Sequence, residues 1–219
     1  VCDLGGGTFD VSVIETGCES VEVMGVAGDG RLGGNDWDRR VARWINSQVV
    51  RLGGSDTLED DARLAMTTAL AEAAKITLTD EEVAVISLDG LVPGGGEVEL
   101  SRDEFEHLTL DLVQRMLGPI KAATEEAGVA LGDIPPAEGK WVSQWGRYPI
   151  DQVILVGGAT RIPSVRKFIF ETTQVEPVDP DAVDPDVAVA LGAALYAGML
   201  DGVINQSMDV IDGMYNWGT

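Results

Sequence analysis

The sequence predicts an α/β fold in which a β-meander opens the chain and strand–helix units close it. Three observations carry this expectation. Residues 1–27 are rich in β-branched side chains between glycine breaks, apolar residues recur at steps of three and four from Asp36 onward, and an apolar run at 152–156 ends in Gly157-Gly158 ahead of a helical segment. A helical-plus-hairpin unit lies between the two ends, giving a layered α/β architecture with a smaller inserted α+β subdomain.

Element by element, residues 1–4 (VCDL) form a short strand that Gly5-Gly6-Gly7 ends, and residues 10–16 (DVSVIET) and 19–27 (ESVEVMGVA) complete an antiparallel meander. Residues 28–35 make a glycine-dense loop. Trp37, Val41, Trp44, Ile45 and Val49 then draw one helical stripe, which Gly53-Gly54-Ser55 stops, and 58–76 reads as a second helix rich in Ala and Leu. Residues 83–88 and 97–100 flank a turn-rich tip at 90–96, as in a hairpin. Ser101 and Glu104 form a capping box ahead of Phe105, Leu108, Leu112 and Val113. That helix pauses at Gly118, and Pro119 suits the first turn of the next one. Residues 135–150 fit no period and read as a surface insertion whose Trp141, Trp145 and Tyr148 need a surface to bury against, either on this domain or on a partner. A buried strand follows at 152–156, a helix at 163–173 and a short strand at 175–178. Asp184 as N-cap and Pro185 at the first helical position open an Ala-rich helix running to Leu200.

The chain has 219 residues, with 15 Lys and Arg against 37 Asp and Glu, a formal charge of −22. That charge argues against nucleic acid or an anionic membrane face as partner, since both need clustered cations. With 45% apolar and 24% charged residues the composition is globular. Cys2 and Cys18 read as free thiols of an intracellular protein, and no Cys/His spacing suits zinc. His107 is the single histidine, which leaves little from which to build a His-based triad. The longest apolar run falls short of the ~20 residues that span a bilayer. Val1 lies inside a strand with no initiator Met before it, so the chain is expected to be a fragment.

Two segments carry the chemistry. In Asp3-Leu-Gly-Gly-Gly-Thr-Phe-Asp10, three glycines between strands can turn successive N–H groups toward phosphate oxygens, and nothing bulkier allows so close an approach. Asp3 and Asp10 flank the loop as hard oxygen ligands suited to hydrated Mg²⁺, and Thr8 adds a hydroxyl. In Val156-Gly-Gly-Ala-Thr-Arg-Ile-Pro163, a strand ending in glycines ahead of a helix start places a ligand against backbone, with Arg161 able to stack on a flat base. A third feature is Glu72, Lys75, Ile76 and Thr79, spaced to share one helical face that could bind a ribose and cover a base. Taken singly, the three also fit a tight turn, an ordinary strand–helix joint and a surface ion pair. Gly28-Asp-Gly30-Arg-Leu-Gly33 matches G-x-G-x-x-G, but no parallel strand ending in an acidic residue follows, so no dinucleotide site is expected. The run 179–186 lacks the glycine and spacing of a calcium loop and reads as a rigid linker.

Together, DLGGGTFDVSVIE at 3–15, GDGRLGGNDWD at 28–38, EAAKITLT at 72–79, VILVGGATRIPSVRK at 153–167 and DPDVAVALGAA at 184–194 closely resemble, in this order, the nucleotide-binding domain of the DnaK-type seventy-kilodalton heat-shock chaperones, within the actin-like ATPase superfamily. The resemblance covers 1–134 and 150–200. It implies an actin-like (ribonuclease H-like) lobe core at 1–34 and 117–200 with the insertion 135–150, a mobile upper subdomain at 35–116, and a tail at 201–219 that faintly resembles an interdomain linker.

By the same resemblance, Asp3, Gly5, Gly6, Gly7 and Thr8 form a phosphate loop, and Asp3 and Asp10 organise hydrated Mg²⁺ and monovalent cations such as K⁺. Asp3, Thr8 and Asp10 are the implied catalytic residues. Gly34 approaches the nucleotide from the subdomain junction. Glu72, Lys75 and Thr79 contact the ribose, Ile76 and Arg161 sandwich the adenine, and Gly157, Gly158 and Asp186 complete the pocket. The implied function is ATP hydrolysis driving binding and release of unfolded polypeptides, with J-domain co-chaperones and nucleotide-exchange factors as partners, in the cytoplasm or in a plastid or mitochondrion. The family's first phosphate loop, its γ-phosphate lysine and its glutamate near the attacking water are not in this sequence. Asn35 stands where Glu is usual and Val187 where Glu is common. The chain on its own is therefore expected to bind Mg·ATP or Mg·ADP weakly and not to hydrolyse ATP. A nucleotide-sensing interaction protein and another actin-like enzyme, such as a sugar kinase, are the alternatives.

Overall fold

A computed structural model describes residues 1–17, 20–131, 149–180, 182, 184–204 and 209–212, the last four by backbone only. Cys18, the bulk of the 135–150 insertion with Trp141, Trp145 and Tyr148, and most of the tail lie outside the described residues.

The opening meander consists of β1 (Cys2–Leu4), β2 (Phe9–Thr16) and β3 (Ser20–Asp29), paired antiparallel in sequence order. Phe9 and Val11 alternate inward along β2, while Asp10 between them faces out. The sheet grows on both sides by parallel pairing. The strand β6 (Leu155–Val156) joins β1, and β7 (Asp209–Asp212) joins β3, giving the order β6-β1-β2-β3-β7. A separate antiparallel pair, β4 (Val83–Ser87) and β5 (Glu97–Ser101), is the expected hairpin.

Between the two sheets in sequence run α1 (Gly34–Arg51) and α2 (Asp61–Asp80). The α1 stripe of Trp37, Val41, Ile45 and Val49 is fully buried. The second helix starts later and ends later than its Ala and Leu content indicates. Asp60 caps it by accepting from the Arg63 N–H, and the chain stays helical through Asp80. After the hairpin come α3 (Arg102–Arg115), with Ser101 accepting from the Glu104 N–H at 3.2 Å, and α4 (Leu117–Glu126). The break falls at Met116 rather than Gly118. Pro119 has no N–H for the Arg115 carbonyl, so the helix cannot run through that turn.

The C-terminal part departs further from expectation. The buried strand 152–156 shrinks to β6, and 175–178 contributes a single bridge, Val153 to Pro177. A 3-10 turn (Gly158–Arg161) precedes α5 (Pro163–Thr173). Asp184 and Pro185 do not cap α6 (Ala188–Leu200), which begins after Val187. Instead the Asp184 carboxylate accepts from the Asp186 N–H at 3.0 Å and closes a turn ahead of the helix. The α6 side chains Val189, Leu191, Leu195 and Leu200 are exposed. Buried residues from both sheets and from α1 to α5 form one connected apolar core, with Trp37, Phe9, Phe105 and Leu32 among its largest members.

Candidate functional site

The glycine loop between β1 and β2 is closed by the Gly5 N–H donating to the Thr8 carbonyl at 3.1 Å. Its other side is tied to α1. The carbonyls of Gly5 and Gly6 accept from the N–H groups of Gly34 and Asn35, each at 2.9 Å. This approach needs Gly33, because a Cβ there would stand 2.4 Å from the Gly7 nitrogen. Two N–H groups that a helix start normally leaves unpaired are thus satisfied by the loop. Gly6, Gly7 and Thr8 face outward, exposed.

Asp3 and Asp10 are direct cross-strand partners in the β1–β2 register. Like charges so placed repel. Burial, and secondarily the Asp10 charge, pushes the Asp3 carboxyl above the usual carboxylate range. On the other flank Asp10 faces Gly28, where a Cβ would stand 2.3 Å from Asp10 Oδ1. That glycine of the G-x-G-x-x-G match therefore gives the carboxylate room. Among the described residues no three His, Cys, Asp or Glu side chains gather into a metal cage. Two adjacent carboxylates with excess negative charge fit a Mg²⁺ ion that keeps most of its waters.

A cleft of about 430 Å³ opens beside the loop, within the size range of small-molecule pockets. Gly5 and Gly6 form its floor with Gly34 and Asn35 at the start of α1. One wall is the α2 face of Glu72, Lys75, Ile76, Thr79 and Asp80. The opposite wall is Gly158, Ala159, Arg161, Ile162 and Asp186. Ile76 is 60% exposed, an aliphatic side chain left open to whatever enters. Lys75 is tied down: its Nζ lies 2.8 Å from Asp38 Oδ1 and donates to Oδ2 at 2.9 Å. Arg161 is held by two carboxylates, Asp184 at 2.8 Å and Asp186 at 2.9 Å. Gly157 stands behind this wall at φ 84°, its N–H donating to the Pro185 carbonyl at 2.9 Å, which brings Asp186 beside Gly158.

Of the residues singled out from sequence, Gly5, Gly6, Gly34, Glu72, Lys75, Ile76, Thr79, Gly158, Arg161 and Asp186 line the cleft. Asp3, Gly7, Thr8, Asp10 and Gly157 do not; they lie on the loop, its flanking strands and the supporting turn. Asn35, Asp80, Ala159 and Ile162 are cleft residues to which the sequence reading assigned no role there. Asp80 sits four residues past Ile76 on the same face, at the last residue of α2. His107 and the buried Cys2 are not among the cleft residues, and burial pushes the Cys2 thiol up. Among the described residues no helix is long and apolar enough to cross a membrane.

The comparisons with known proteins agree on one family. The chain is 40% identical over 209 residues to Chaperone protein dnaK3 of Synechocystis sp., covering 93% of this chain and 25% of that protein. It is 39% identical over 210 residues to Heat shock 70 kDa protein 7, chloroplastic, of Arabidopsis thaliana, covering 94% and 27%. Chaperone protein DnaK of Deinococcus proteolyticus is 38% identical over 212 residues, covering 94% and 31%. The chain thus spans about a quarter to a third of the length of these relatives. The family model for Hsp70 protein matches residues 1–212, and with that match across almost the whole sequence the chain belongs to the Hsp70 family.

Proposed function

We propose that the cleft binds an adenine nucleotide with Mg²⁺, and that the chain is the ATP-binding part of an ATP-dependent protein-folding chaperone. The observation that carries this reading is convergence. Residues from five separate segments, three picked out by their chemistry and two by the family resemblance, line one cleft of nucleotide size beside a glycine loop.

In this reading Ile76 and Arg161 sandwich the adenine, while Glu72, Lys75 and Thr79 hydrogen-bond the ribose. Gly158 and Asp186 complete the nucleoside end, supported by Gly157, and Gly34 lets the nucleotide approach the start of α1. Gly5, Gly6, Gly7 and the Thr8 hydroxyl receive the β- and γ-phosphates. Asp3 and Asp10 hold the waters of Mg²⁺, with K⁺ as a further cation, and with Thr8 they are the catalytic residues of this half. Mg²⁺ neutralises charge on the phosphates when bound. Phosphoryl transfer depends mainly on such positioning and electrostatics.

Residues 1–34 and 117–200 form the lobe core, 35–116 the mobile inserted subdomain, and 201–219 leads toward a peptide-binding domain. In the whole protein, hydrolysis drives a cycle of binding and release of unfolded polypeptides, assisted by J-domain co-chaperones and nucleotide-exchange factors, in a cytoplasm or plastid. Calorimetric titration of the chain with Mg·ADP tests the site. The expected result is saturable one-to-one heat that Arg161→Ala weakens; a flat titration on folded protein rules the nucleotide site out.

A further inference from the structure

The Lys75–Asp38 pair is the most deeply buried ion pair among the described residues, the two side chains being 13% and 7% exposed. It joins α1 to α2, the helices that supply the floor and one wall of the cleft. The ammonium is also 3.5 Å from the Gly34 carbonyl, so Asp38 and Gly34 hold it from the α1 side. Lys75 nevertheless lines the cleft, with three N–H donors in all.

Charge decides what that donor can serve. Lys75 contributes +1 and Asp38 −1; Glu72 and Asp80, which line the cleft on the same α2 face, contribute −1 each, while Arg39, whose charge also acts on Asp38, is paired with Asp36 outside the cleft lining. This end of the cleft is therefore net negative even with the lysine present, and a phosphate placed here would be repelled. A neutral hydroxyl would gain a charge-assisted hydrogen bond without that penalty.

Resting on the reading of the cleft as a nucleotide site, we infer that Asp38 is a positioning residue. By pairing with Lys75 in a buried site, it makes that lysine a donor to sugar hydroxyls and denies it to phosphate, which fixes the direction in which the nucleotide lies. A lysine freed of Asp38 would become a mobile cation that phosphate can reach.

The test compares Mg·ADP with Mg·2′,3′-dideoxy-ADP by calorimetry on wild type, Asp38→Asn, Lys75→Met and the double variant. Loss of a hydrogen bond to a charged group predicts that wild type prefers ADP by about tenfold. Both single variants should bring the ratio below about threefold, and the double variant should fall no further than Lys75→Met alone. A ratio near one in wild type, or an unchanged ratio in folded Asp38→Asn, overturns the inference while leaving the nucleotide cleft intact. Absence of any ADP binding by wild type removes the cleft reading and the inference together. Should Asp38→Asn fail to fold, ¹⁵N detection of the Lys75 ammonium in wild type decides. A signal that shifts with ADP but not with the dideoxy nucleotide supports the role, and equal shifts with both overturn it.

Discussion

Gly157→Ala is the sharpest perturbation of the site's scaffold. The residue adopts φ 84° and ψ 139°, a conformation almost exclusive to glycine, and forcing alanine into it costs about 1–3 kcal/mol. The new Cβ would also stand 2.4 Å from the Leu4 carbonyl oxygen, 2.6 Å from its carbon and 2.9 Å from Asp3 Oδ1. The first two are backbone atoms of β1, locked in register with β6 on one side and β2 on the other, so relief requires a shift of the strand. Overpacking of this kind adds about 1–3 kcal/mol. The sum is about 2–6 kcal/mol, equivalent to a fall in melting temperature of about 4–24 °C for a domain of this size. Gly158→Ala is the internal control. Its Cβ would meet only the Asp186 carboxylate at 3.0 Å, a half-exposed side chain that can swing away, so melting should hold while nucleotide binding weakens. Thermal denaturation followed by circular dichroism reads both. A Gly157→Ala variant melting within about 2 °C of wild type would refute the reasoning.

Gly6→Val should fold, because its nearest neighbour beyond the loop is the Asn35 side chain at 3.5 Å, yet the added methyls should abolish the preference for ADP over adenosine; equal preference in wild type and variant would reduce the loop to a turn. Asp3→Asn should raise the melting temperature at pH 7 without Mg²⁺. A carboxyl whose folded pKa lies above its unfolded value adds most stability below the unfolded value and loses it as pH rises through the folded one, so the gain should fade toward pH 4. Millimolar Mg²⁺ should stabilise wild type more than this variant, which a melting series with and without EDTA checks. Arg161→Ala should change stability by less than about 1 kcal/mol in urea titrations, since its pairs with Asp184 and Asp186 are 40–52% exposed.

The meander, the α1 stripe, the Ser101 N-cap and the hairpin were legible because each rests on local period or local hydrogen bonding; the expected box is only half formed, since Glu104 Oε1 accepts from Trp44 Nε1. The α2 face was legible for the same reason: four residues spaced at helical steps reach one cleft wall whatever surrounds them. What failed was set by tertiary contact. The α6 start moved because the Pro185 carbonyl receives the Gly157 N–H, a partner 28 residues away in sequence. The β7 strand pairs with β3 from the far end of the chain, and nothing in its four residues announces that pairing. Arg161 read as a solvated or stacking cation, since no spacing rule links it to Asp184 and Asp186 across the intervening α5. Asp38 passed unnoticed because its partner Lys75 lies on another helix.

The bonds from Gly34 and Asn35 tie the start of α1 directly to the glycine loop. α1 is 18 residues long, about 27 Å at 1.5 Å per residue. A tilt of about 5° at the loop would carry the Arg51 end through about 2 Å, a lever ratio set wholly by that length. The far end of α1 abuts Gly54, where a Cβ would stand 2.5 Å from both the Val49 side chain and the Leu91 carbonyl of the hairpin tip. Such tight seating leaves little slack, so a displacement that is small at the glycine loop reaches the hairpin tip at Leu91 enlarged.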